Sequence, residues 1–184
     1  DTKASVNGRK LNAFCSNDYL GLANHPELIQ ALTEGANLYG VGSGASHLIS
    51  GHNIAHDLLE KKLASFQSKH IPNAGALFFS TGYLANLTAI TGLIKLAKPG
   101  EASIYSANLN HASIIDGVRL ASIQSKASVT LFDHQQLEAL TEALKKDTRP
   151  LKLIITDGVF SMDGDITPVK ALVEIAEQYD ALLL

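Results

Sequence analysis

Ser80-Thr81-Gly82-Tyr83-Leu84-Ala85-Asn86 follows directly on the apolar run Ala76-Leu77-Phe78-Phe79 and leads into a helical pattern. That order predicts a strand over 76–80, a turn, and a helix over 82–95. Glycine at 82 lets the backbone come close to whatever occupies the turn. The N–H groups of the first helical turn, led by Gly82 and Tyr83, would face an anion such as a phosphate. Taken alone, the seven residues read more readily as an ordinary capped strand-to-helix turn, so the surrounding pattern has to decide.

Downstream, Pro99-Gly100 turns the chain into a strand at Ser103-Ile104-Tyr105-Ser106. A helix over 111–121, a strand over 128–132, a helix over 134–146 and a strand over 151–156 follow. Thr167 caps a helix that Pro168 begins, which runs to Tyr179 and returns to a strand over 181–184. Strict alternation of this kind predicts an α/β fold: a mostly parallel sheet with helices on both faces.

Upstream, Asn7-Gly8 predicts a hairpin turn before Lys10-Leu11-Asn12-Ala13-Phe14. A polar cluster, Ser16-Asn17-Asp18-Tyr19, reads as a turn capped by Asn17 or Asp18. Pro26 starts an amphipathic helix over 26–39, with Leu28, Ile29, Leu32, Ala36 and Tyr39 on its apolar face. Gly40-Val41-Gly42-Ser43-Gly44-Ala45 matches the spacing of a dinucleotide fingerprint, but a helix precedes it where that motif needs a strand. Residues 40–51 therefore read as a close-approach loop. A second helix spans 53–66, starting after His47 and His52 and including His56. The last two histidines have the i, i+4 spacing of helical metal ligands, but no acid or third ligand stands at zinc-site spacing, so capping or solvated histidines and no bound metal are expected.

The 184 residues carry a net charge of −3, with 46% apolar and 18% charged side chains, a globular composition long enough for a sizeable core. Mixed charge excludes a phosphate-backbone footprint, and no apolar run reaches membrane-spanning length, so neither nucleic acid nor a membrane is an expected partner. Cys15 is the only cysteine, which excludes an intrachain disulfide and favours a reducing, cytoplasmic setting. The chain opens at Asp1 without methionine and closes on Ala181-Leu182-Leu183-Leu184, which reads as a buried strand. Functional groups in such sheets stand at strand carboxyl ends, so a fragment is expected.

Three strand exits carry unusual residues, and parallel strands put those exits on one rim. The first is the Gly82–Tyr83 turn. The second, Asn108-Leu109-Asn110-His111, puts His111 in the first turn of a helix, where a neutral imidazole can accept a proton or lie flat on an aromatic ring. The third is Asp157-Gly158-Val159-Phe160-Ser161-Met162-Asp163-Gly164-Asp165. Here two glycines bend the loop, Phe160 and Met162 anchor it by burial, and Ser161 is left as a held hydroxyl. Asp163-x-Asp165 matches part of a calcium loop, but no later acid completes the ligand set. A turn held by Asx hydrogen bonds is a reading of comparable weight.

Together these segments carry a resemblance. Ser16-Asn17-Asp18-Tyr19-Leu20-Gly21-Leu22, Gly42-Ser43-Gly44-Ala45-Ser46 with Ser50-Gly51-His52, His56-x-x-Leu59-Glu60, Ser80-Thr81-Gly82-Tyr83-x-Ala85-Asn86, Asn110-His111-Ala112-Ser113 and Asp157 to Gly164 resemble the α-oxoamine synthases. These are pyridoxal-phosphate enzymes of the aspartate-aminotransferase fold (fold type I), acyltransferases that condense an amino acid with an acyl-CoA and release carbon dioxide. The resemblance implies pyridoxal phosphate as cofactor, held through its phosphate by the backbone at Gly82 and Tyr83. It implies that His111 stacks on the pyridine ring and contacts substrate, that Ser161 contacts the cofactor, and that Asn17 lies near the substrate. It further implies a homodimer, with the glycine-rich loop approaching the active site across the interface. On this reading residues 1–24 are an N-terminal arm and 25–184 an incomplete large cofactor-binding domain. The family's ring-nitrogen aspartate and Schiff-base lysine then lie beyond residue 184. Among family members the motifs are most like the alanine-using, biotin-pathway branch with a pimeloyl thioester carried on CoA or acyl-carrier protein. Sister synthases using glycine or serine, and a non-catalytic paralogous subunit, are the alternatives.

Overall fold

The computed structural model describes residues 3–184, which divide into two compact units, 3–77 and 78–184. In the first unit, β1 (Lys3–Val6) and β2 (Arg9–Asn12) form an antiparallel hairpin. Asn7 and Gly8 connect them with φ of 50° and 77°, the left-handed pair a two-residue hairpin turn demands. Asp18, not Asn17, closes the next turn, its carboxylate accepting from the Ala23 N–H at 3.1 Å. α1 (Pro26–Tyr39) has the bounds its periodicity predicts, but its apolar stripe is left open, with Leu28, Ile29 and Leu32 at least half exposed. Part of the predicted loop over 40–51 is a π-helical turn at His47–Gly51. Gly51 is obligatory there, because a Cβ would lie 2.1 Å from the Ala45 carbonyl oxygen. α2 (Ile54–Gln67) starts on a capping box in which Asn53 accepts from the Ala55 N–H and His56 Nδ1 accepts from the Asn53 N–H.

The second unit is built on a four-stranded parallel sheet in the order β4-β3-β5-β6. Its strands are β3 (Ala102–Ala107), β4 (Ser128–Phe132), β5 (Leu151–Ile155) and β6 (Leu182–Leu183). β3 is flanked on both edges and buried at all six positions, which is why it reads as an unbroken small and apolar run. α3 (Gly82–Ile94) and α4 (Ala112–Ser125) pack together, while α5 (Leu137–Lys146) and α6 (Val169–Gln178) contribute to a second core. Ile90, Ile94, Ile104, Val118 and Leu153 form one cluster, and Phe132, Leu140, Ile154, Phe160 and Leu172 the other. Each of these large side chains contributes about 1.5–3 kcal/mol when fully buried. α3 and α4 meet closely at Gly117, where a Cβ would stand 2.8 Å from Ile90 Cδ1 and 3.5 Å from Leu87 Cα. Gly117→Ala is therefore expected to destabilise by about 1–3 kcal/mol, read as a lower urea midpoint, because the core there has no slack.

Five expectations are corrected. Residues 76–80 form no strand among the described residues, with Leu77 75% exposed. An apolar run has strand potential, but a strand exists only through a hydrogen-bonded neighbour. The helix expected from 134 begins at Leu137, because Asp133 takes the Gln135 N–H at 2.8 Å in an Asx turn. Thr167 does not cap α6: its hydroxyl donates to the Asp157 carbonyl and pairs with Thr156 Oγ1. Met162 does not anchor its loop by burial, since it stands 92% exposed at the turn's tip while Phe160 is buried at 1%. Finally, of the two loop glycines only Gly164, at φ 76°, uses a left-handed conformation. Among the described residues no helix is long and apolar enough to cross a membrane.

Candidate active site

From the carboxyl end of β3 the chain runs to β4 on one side, and from that of β5 to β6 on the other, although β3 and β5 are neighbours. The crevice between those two strand ends is thus a topological switch point, where open α/β sheets place their ligands. His111 follows β3 and the Ser161 loop follows β5.

A buried side chain spans the crevice. Asn110, 4% exposed, donates through Nδ2 to Ser106 Oγ and to the Ile155 carbonyl, both at 3.0 Å, and accepts the Asp157 N–H at 2.8 Å. Asp157 returns the connection, its carboxylate accepting the His111 N–H at 2.6 Å. The two strand exits are consequently one hydrogen-bonded unit.

His111 is the N-cap of α4 rather than a residue of its first turn. Its Nδ1 accepts from the Ser113 N–H at 3.1 Å and lies 2.7 Å from Ser113 Oγ. A backbone N–H can only donate, so Nδ1 is the acceptor and the neutral ring carries its proton on Nε2. This narrows the expectation of a proton acceptor: the lone pair is committed to the cap, and the exposed edge offers an N–H. Ser113 Oγ also accepts from Asn86 Nδ2 at 2.9 Å, which ties the start of α4 to α3.

At the start of α3, Thr81 caps the Leu84 N–H at 3.1 Å and its carbonyl takes the Ala85 N–H. The amides of Gly82 and Tyr83 have no acceptor among the described residues. Tyr83 is anchored by its hydroxyl, which donates to Asp116 at 2.8 Å; that carboxylate raises the phenol's pKa. A Cβ at Gly82 would meet nothing within 4 Å, so packing does not require glycine there.

The Ser161 loop is fastened at its base. Val159 bridges Ile166, the Phe160 N–H donates to the Asp165 carbonyl, and the Thr167 N–H to the Gly158 carbonyl. Beneath it, buried His134 packs on Phe160 with ring centroids 4.3 Å apart. His134 Nε2 and Gln135 Nε2 lie 3.3 and 2.9 Å from one Asp165 carboxylate oxygen. Asp165 is thus engaged as a loop tie. Ser161 is exposed, held by this frame. Lys152 sits near the amino end of β5 and donates to the Tyr179 carbonyl, away from the strand exits. Asn17 is exposed in the first unit and accepts from the Tyr19 hydroxyl at 3.2 Å.

Asn86, Asn110, Ser113 and Asp157 stand inside the motifs quoted above, yet no role could be assigned to them from sequence. The partners through which they join separate elements are 27 to 47 residues away. The available signal was polar residues directly at strand exits, where a buried amide must find partners for all its polar atoms.

The model of the "Aminotransferase class I and II" family matches residues 9–184. The chain belongs to this family. A Ralstonia pickettii protein named 8-amino-7-oxononanoate synthase is 52% identical over 179 residues, which is 96% of this chain and 42% of that protein. A serine palmitoyltransferase solved with PLP superposes with a TM-score of 0.85 at 31% identity, over 99% of this chain and 43% of the other. The 8-amino-7-oxononanoate synthase of Francisella tularensis gives 0.64 at 31% identity, over 88% and 41%. The resemblance to α-oxoamine synthases and the fold type I architecture expected from the motifs therefore hold. The chain spans less than half the length of these relatives.

Proposed function

We propose that this chain contributes the N-terminal arm (1–24) and part of the large domain (25–184) of an 8-amino-7-oxononanoate synthase. Such an enzyme joins L-alanine to a pimeloyl thioester, carried on CoA or acyl-carrier protein, with loss of carbon dioxide. The observation that carries the reading is 50–53% identity to relatives of that name across nearly the whole chain. On this reading the protein is a cytoplasmic homodimer, with Asn17 near the substrate.

The donor set fits pyridoxal phosphate. Two amides at the amino end of a 13-residue helix suit a phosphate, the exposed His111 ring suits an aromatic face, and the Ser161 hydroxyl suits a ring oxygen. Bound there, the cofactor supplies an electron sink for the charge left on the amino-acid Cα. His111 contributes a flat platform and an Nε2–H directed at an incoming carbonyl oxygen, where developing negative charge is stabilised by a preplaced donor. The Asn110–Asp157 clamp holds that ring and the Ser161 loop in fixed relation, so orientation is set before substrate arrives.

Gly82→Ala separates a ligand role from a structural one. Stability is expected to change by less than about 0.5 kcal/mol, since the Cβ points into open space. Affinity for pyridoxal phosphate, followed by cofactor absorbance in the full-length enzyme, is expected to fall ~10-fold as the methyl crowds the phosphate.

A sister activity has one observation in its favour: the backbone follows serine palmitoyltransferase more closely (0.85) than the Francisella enzyme (0.64). The intact enzyme should be assayed with alanine, glycine and serine against pimeloyl, acetyl, succinyl and palmitoyl thioesters. Preference for alanine with pimeloyl thioester is expected. Preference for serine with a long acyl chain would move the assignment to the sister while keeping cofactor and fold. One methyl on the amino acid is worth only about 1–3 kcal/mol of discrimination, so the acyl group is the more telling variable.

A further inference from the structure

We infer that His47, His52 and Glu60 form a binding site for a divalent transition-metal ion of the zinc class. The expectation of no metal rested on the lack of an acid at zinc-site spacing. Folding supplies one. α2 carries Glu60 on the same face as His56 and, two turns back, beside His52, which lies just before the helix. The π-helical turn then brings His47 over them.

The donor atoms of the three side chains all lie within 4.8 Å of one another. Ligands around one tetrahedral zinc ion, at about 2.0–2.2 Å each, stand roughly 3.3–3.6 Å apart. Closing to that distance takes small side-chain rotations, which exposed His47 and His52 can make. His52 Nε2 and Glu60 Oε2 are already 3.0 Å apart. The rings also pack on one another: His47 meets His52 edge-on at 4.7 Å and His56 at 5.1 Å, while His56 stacks on His52 at 5.5 Å. His56 Nδ1 is committed to the capping box with Asn53, so His56 acts as a wall that orients the ligands. Two imidazoles and one carboxylate with an outward opening leave room for water to complete the coordination. That set suits zinc, cobalt or nickel and is too nitrogen-rich for magnesium or calcium.

The site belongs to residues 3–77 and does not depend on the reaction proposed above. Its test uses full-length enzyme without a histidine tag, titrated calorimetrically with zinc chloride and, separately, with cobalt chloride followed by visible absorbance. One ion per chain is expected, with cobalt giving the intense bands of low coordination. His47→Ala and Glu60→Gln are each expected to weaken zinc binding ~10-fold or more, with helical circular dichroism unchanged. His70→Ala, outside the cluster, should bind as wild type. Absence of stoichiometric zinc uptake, or uptake unaffected by both ligand variants, overturns the site. If either ligand variant loses helical signal, ligation of cobalt by wild-type imidazoles, read by paramagnetic shifts of the His47 and His52 ring protons, decides instead: no shift overturns it.

Discussion

His111→Ala is expected to lower kcat for the condensation by ~100-fold or more in the intact enzyme, because it removes both the ring platform and the Nε2–H donor. The same change removes an N-cap. Loss of the Nδ1 acceptor for the Ser113 N–H costs about 1 kcal/mol of stability by itself. His111→Asn distinguishes the two effects, since asparagine is a good N-cap and lacks an aromatic face. The asparagine variant should recover the melting temperature and leave kcat depressed. Recovery of kcat together with stability would show that His111 acts only as a helix cap. His111→Phe keeps a flat ring but has no polar edge, so cofactor affinity is expected to survive better than turnover. Steady-state kinetics beside thermal melts of all three variants give the comparison.

Asn110→Ala is expected to be the most destabilising single change at the site. It leaves the Asp157 N–H, the Ile155 carbonyl and the Ser106 hydroxyl short of a partner in a buried crevice. Each orphaned group costs about 1–3 kcal/mol, and since such losses are not additive, a total of about 3 kcal/mol is expected from urea melts. Function should suffer beyond stability. The clamp is what couples the strand exits, so kcat is expected to fall at temperatures where the variant is fully folded. A stable variant with wild-type kinetics would remove the clamp from the account. Asp157→Asn is milder, because an amide oxygen still accepts the His111 N–H but without charge.

Much of the second unit was legible because its elements obey local rules. β4, with bounds read from sequence, is β-branched and apolar, and α3 ends within one residue of its expected limit. The failures have a common physical cause, which is that strands and loops are completed by partners distant in sequence. Residues 76–80 are an apolar run that joins no sheet among the described residues, and Met162, an anchor by residue type, is placed at the tip by the turn. Of the candidate site, His111 and Ser161 can be picked out by residue type after strand ends and the Gly82–Tyr83 amides by the start of a helix, whereas the Asn110–Asp157 clamp and the His111 tautomer depend on contacts that only folding reveals. Glu60 was hidden for the same reason, its relation to His47 being set by a π-helical turn that no periodicity announces.

The most direct test of the account is a crystal structure of the full-length enzyme grown with pyridoxal phosphate. The phosphate is expected within hydrogen-bond distance of the Gly82 and Tyr83 amides, the pyridine ring against His111, and the Ser161 hydroxyl within reach of the ring's substituents. Cofactor density on the opposite rim of the sheet, or a phosphate held without those amides, would contradict it.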